Sequence, residues 1–145
     1  MNRRSGRVVV CSLSEARARR GQARAFLEAA EAVFGEAPRE AHVAAALAVL
    51  SGIAASDAIC GLALRRWSRG SDHGQALELL RTVAGLEGGL VVSLKRLLDQ
   101  KDAVHYSPDL VTADRAQGML RQARALVEAA EKLGAVTRSS TEGRE

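Results

Sequence analysis

Between Val43 and Leu64 the chain reads VAAALAVLSGIAASDAICGLAL, small or apolar around nearly the whole circumference of a helix. A helix without a polar face belongs at the centre of a fold, surrounded by other elements. Its Ala, Gly and Ser positions allow neighbouring backbones to approach closely. One residue breaks the pattern. Asp57 puts a carboxylate inside the run, and a buried ionised carboxylate is costly unless paired, so a basic or hydrogen-bonding partner is expected.

The rest of the chain supplies helices to surround this one. Pro38 suits the first turn of the central helix, expected over 38–66. Before it, SLSE at Ser12 matches a capping box with Glu15, and Phe26, Leu27, Ala30, Val33 and Phe34 recur at helical spacing up to Gly35. After it, WSRGSDHG marks a break, with Ser71 placed to cap a short helix through about Ala84. GLEGG leads into a fourth helix carrying Leu90, Leu94, Leu97, Leu98 and Val104, which stops near Tyr106 because Pro108 disfavours helical geometry at Ser107. Thr112 caps a last helix with an apolar face from Ala116 to Leu133, and Gly134 is expected to end it. The only strand-like segment is RVVVC at the start. The expected fold is all-α, a bundle of four long helices plus one short helix. The expected layout is a mobile basic arm over 1–11, a helical body over 12–134 and a mobile tail over 135–145.

Charge is unevenly placed. Through Arg24 there are seven arginines (Arg3, Arg4, Arg7, Arg17, Arg19, Arg20, Arg24) and a single acid, Glu15, although the whole chain carries a net charge of only +4. A basic arm on a near-neutral body suits contact with phosphate, with Arg17, Arg20 and Arg24 as candidates. The bland reading is compositional, since the basic residues are 18 Arg against 3 Lys in an Ala- and Gly-rich chain. Arg66 and Arg69 beside Trp67 form a second basic rim. Aromatics make up 3% of the residues, too few for reading single strands by stacking. Cys11 and Cys60 have no CxxC partner, and with His42, His73 and His105 they make no zinc signature, so no metal or cofactor is expected. The short apolar run near the start is too brief for a signal-peptide core. A cytoplasmic protein with free thiols and no membrane contact is expected.

The last turns of the fourth helix read KDAVHYSP. At 100° per residue from Leu94, Leu97 falls at about 300°, Leu98 at about 40°, Lys101 at about 340° and His105 at about 20°. Lys101 and His105 thus continue the apolar stripe as an i,i+4 pair. A histidine can serve as acid or base near neutrality and a lysine can hold phosphate, which is what metal-free RNA cleavage requires. The same residues also fit a plain helix end, where cations offset unsatisfied carbonyls and a lysine can snorkel. A second basic–histidine pair, Arg66 and His73 with six residues between, straddles the Gly70–Ser71 turn.

The small-residue helix LSGIAASDAICGLAL, the break RGSDHGQALELL and the LLDQKDAVHY segment followed by an amphipathic helix together resemble the HEPN superfamily over roughly residues 14 to 133. The chain looks most like the short stand-alone HEPN proteins of actinobacteria. The resemblance implies a homodimer and a metal-independent endoribonuclease site of Arg, four to six residues and His, with a tyrosine close behind and a polar residue from an earlier helix. Carried over, His105 is the histidine, Lys101 stands for the arginine, Asp57 is the earlier polar residue and Tyr106 stands for the tyrosine. Only three residues separate Lys101 from His105, Tyr106 follows directly, and lysine lacks the two-pronged donor set of arginine. The expected function is therefore binding of RNA or nucleotide phosphate with catalysis weak or absent. The alternatives are a toxin-type ribonuclease held in check by an antitoxin-like protein, and a structural bundle that binds another protein.

Overall fold

In a computed structural model, the structure describes residues 7–70 and 72–142, with side chains described through residue 135. Helix accounts for 77% of the chain and the one sheet has only two short strands, which makes the protein an all-α bundle. The order is β1 (Arg7–Val10), α1 (Leu13–Val33), α2 (Pro38–Leu64), β2 (Arg66–Arg69), α3 (His73–Arg81), α4 (Gly88–Tyr106) and α5 (Ala113–Glu142).

The centre is α2. Every residue from Ala54 to Leu62 is buried, as its all-round apolar character predicts. By length and composition α2 is also apolar enough to cross a membrane, but here most of its apolar stretch is buried against the other helices. It starts with Pro38 in its first turn and ends at Arg65, whose φ of 56° is left-handed. The close approach that its small residues permit is realised at mid-helix and near its C-terminal end. Ser51 donates to the Ala23 carbonyl of α1 at 2.8 Å. At Gly61 an added Cβ would lie 2.7 Å from the Ala16 Cβ and 2.9 Å from the Cys11 Sγ. Gly61→Val is therefore expected to lower stability by about 2 kcal/mol through overpacking. Denaturant unfolding reads this as a lower midpoint at unchanged slope. A midpoint equal to wild type would mean that α1 and α2 can separate there without cost.

The remaining long helices wrap α2. Ser12 and Glu15 form the expected capping box, with Glu15 N–H donating to Ser12 Oγ at 3.0 Å and Ser12 N–H to Glu15 Oε1 at 2.8 Å. α1 and α5 run antiparallel, because Arg24 pairs with Glu131 while Glu31 pairs with Arg124. Arg115 N–H donates to Thr112 Oγ1 at 3.2 Å, so Thr112 caps α5 as expected.

Four expectations need correction. Gly134 does not end α5, which continues to Glu142. It is buried where the Arg20 guanidinium crosses the helix, so its missing side chain serves close approach and not termination. The short helix stops at Arg81 and not near Ala84, because Thr82 folds its hydroxyl and N–H back onto the Leu79 carbonyl at 2.7 and 3.1 Å. Its cap is Asp72, whose carboxylate accepts from Gln75 N–H at 3.1 Å; Ser71 lies outside the described residues. Finally, RVVV is a true strand. It pairs antiparallel with Arg66–Arg69, with Arg7 opposite Arg69 and Val10 opposite Arg66. The basic arm is therefore held from Arg7 onward, while Arg3 and Arg4 lie outside the described residues. Cys11, Ala16, Leu62 and the Trp67 ring form a small apolar cluster under this clip.

Candidate functional site

Three elements meet at Asp57. The carboxylate sits in the α2 run and is 8% exposed. Arg19 reaches it from α1, with Nε and Nη2 each 3.0 Å from Oδ2. Arg69 approaches the same oxygen from β2 at 3.6 Å while its guanidinium lies 4.0 Å from the Trp67 ring centroid. The buried Trp67 fixes the strand, and the strand alternation puts Arg69 on the same side as Trp67, which is why a two-stranded clip can hold a guanidinium over a helix. Arg19 and Arg69 are the partners that a carboxylate in this run requires.

Burial is the largest influence on Asp57 and pushes its carboxyl above the ordinary carboxylate range. The charge and hydrogen bond of Arg19, and then the charge of Arg69, pull it back. Desolvation wins. At neutral pH this carboxylate costs stability, and a charge held at such a cost in a cleft is a common mark of a functional site.

Beside the triad lies a cleft of about 120 Å³. Arg19, Asp57, Arg69 and Lys101 line it together with His73 and Asp72 from the start of α3 and the hydroxyl residues Ser56 and Ser68. Ile53, Leu94 and Leu98 supply the apolar part of the wall. Three cations thus face two carboxylates, and one carboxylate, Asp72, is engaged in capping α3. Lys101 makes no ion pair among the described residues.

Of the residues carried over from the HEPN resemblance, the structure brings Lys101 and Asp57 to one cleft. His105 and Tyr106 do not line it. Both are exposed at the end of α4, Tyr106 by 78%, with their ring centroids 6.2 Å apart. The stripe reading fails in the last turn because the buried line drifts around α4. Val104, at about 280° on the same wheel, is the buried residue there, and His105 is left outside. The histidine that does line the cleft is His73, whose sequence partner Arg66 is exposed and does not.

The α1 arginines serve packing more than display. Arg24 holds Glu131 through two bonds, Nε to Oε2 at 2.9 Å and Nη2 to Oε1 at 2.6 Å, and Arg20 covers Gly134. The hydrogen bond to Arg24 holds the Glu131 carboxyl below its usual range. Arg17 makes no ion pair among the described residues.

Arg19 is the member that sequence reasoning overlooked. Its signal was available: with Ala16, Ala23, Leu27 and Ala30 it falls on the buried stripe of α1, where a cation needs a buried partner. Among the described residues no group of three or more His, Cys, Asp or Glu could hold a metal ion. Cys60 is no nucleophile, since burial, ahead of the charges of Asp57 and Cys11, pushes its thiol up to about 12.

No protein-family model matches the chain, and no protein of curated function matches it. Its class rests on what the fold and cleft define: an all-α bundle whose central helix offers one buried carboxylate to a ring of cations.

Proposed function

We propose that the protein is a HEPN-like helical domain, cytoplasmic and homodimeric, that binds RNA or nucleotide phosphate at this cleft with catalysis weak or absent. One observation carries the reading: Arg19, Arg69 and Lys101 come from three separate elements to a single cleft, and Lys101 has no carboxylate of its own there. Convergent cations in a partly enclosed cleft are suited to a phosphate group. Weak catalysis follows from the position of His105, which stands outside the cleft and so has no geometric relation to a phosphate held within it.

The ribonuclease alternative keeps one specific support, the presence of His73 on the cleft wall beside Lys101 and Asp57. A titratable imidazole near a bound phosphate is where an acid or base would have to be.

The test combines binding and cleavage on one mixed-sequence RNA in EDTA, with wild type, Lys101→Ala, His73→Ala and His105→Ala. Wild type is expected to bind, with affinity falling as salt rises. Lys101→Ala should bind about tenfold more weakly with a shallower salt slope, and none of the four should yield product. Cleavage that survives in His105→Ala but is lost in His73→Ala would replace this reading with the nuclease. Failure of wild type to bind at low salt would leave a bundle that serves another protein.

A further inference from the structure

We propose that the cleft takes a terminal phosphomonoester, the doubly charged phosphate at the end of an RNA or on a free nucleotide, in preference to the singly charged diester of a chain interior. The inference rests on the phosphate-binding reading above and narrows it to a ligand class.

Size comes first. A cleft of about 120 Å³ is small enough that a phosphate group would fill much of it, with whatever is attached to that phosphate extending out through its mouth. An internal diester carries an ester arm on either side, and both would have to leave so small a space. A chain end enters with one arm.

Charge points the same way. Asp57 occupies Arg19 and Arg69, and Asp72 faces the cleft as well, so the positive excess is modest and centres on Lys101. In a field of that sign, a group of two negative charges gains about twice what a group of one gains. Phosphomonoesters carry about −1.5 to −2 at neutral pH.

Hydrogen bonding adds an independent observation. Ser56 is 4% exposed and lines the cleft, yet its hydroxyl has no hydrogen-bond partner among the described residues. Its oxygen is not sealed from the cleft, so the hydroxyl can donate to an acceptor held there. A terminal phosphate offers three unesterified oxygens to the Lys101 ammonium and the Ser56 hydroxyl; a diester offers two.

The experiment measures binding of one short oligoribonucleotide to the full chain in three forms, with a 5′-phosphate, a 3′-phosphate, or hydroxyls at both ends. AMP and inorganic phosphate serve as competitors. At least one phosphorylated form is expected to bind about tenfold tighter than the hydroxyl-ended form. AMP should compete more strongly than its charge alone explains, judged against sulfate at equal ionic strength. Ser56→Ala and Lys101→Gln should each weaken the phosphorylated forms more than the hydroxyl-ended form, so that the preference for the phosphorylated end shrinks. If AMP competes but no oligonucleotide form is preferred, the monoester is that of a free nucleotide and the class stands. Equal binding of all three forms with no competition by AMP would overturn the inference and leave phosphate binding intact. No binding of any form, AMP included, would remove both.

Discussion

Arg19→Met is expected to destabilise the protein by about 3 kcal/mol at neutral pH, the low end for breaking a buried ion pair because Arg69 remains near Asp57. Methionine keeps most of the apolar stem, so the loss is electrostatic. It removes both the 3.0 Å hydrogen bond and the nearer charge from a carboxylate that burial already penalises. The pH dependence separates this cause from lost packing. Asp57 is raised above 3.8 in the folded protein, and without Arg19 it must rise further. For an acid with a raised folded pKa, the penalty is complete above that value. It is relieved as pH falls towards the unfolded value. The gap between wild type and Arg19→Met should therefore narrow below neutrality and nearly close near pH 3.8, as read by denaturant midpoints across pH. A gap that stays constant across that window would mean that Arg19 acts through packing alone.

His42→Phe is expected to cost about 2 kcal/mol and to loosen one end of the bundle. The His42 ring lies in α2 between two backbone groups, with Nε2 donating to the Val104 carbonyl at 2.7 Å and Nδ1 accepting from the Val111 N–H at 3.0 Å. That is the neutral tautomer carrying its proton on Nε2. Val104 is among the last residues of α4, whose final carbonyls have no partner within the helix, so α2 supplies a cap from a distance. Val111 opens the approach to α5. Phenylalanine fills the space but leaves an acceptor and a donor unpaired at a half-buried position, where each loss lies near the low end of its range. Amide hydrogen exchange at Val111 should accelerate in the variant beyond the global change in stability. Unchanged exchange there would show that water replaces the ring at no cost.

The fold was legible because its helices announce themselves through pattern. An all-round apolar α2 has only one place to go, and Ser12, Pro38 and Thr112 mark helix starts through local chemistry that tertiary context did not override. The misses share a different origin. Gly134 and RVVV depend on partners far away in sequence, Arg20 in one case and residues 66–69 in the other. The cleft was half legible for the same reason. Asp57 stood out as one carboxylate in an apolar run and Lys101 as a cation on a stripe. Arg19 disappeared into a block of arginines, and His105 looked inward on a straight helical wheel that the real contact line does not follow.

The clip of β1 and β2 also bears on how the molecule is made. Its two strands lie roughly sixty residues apart, so β1 waits for α1, α2 and the turn at Arg65 before it finds a partner. Arg69 gains its support from that late closure, and Lys101 is synthesised later still. Helices can form as they emerge, but the cleft comes into being only once Lys101 of α4 has been made. A nascent bundle thus has neither the paired carboxylate nor the converged cations of the cleft until α4 has been made.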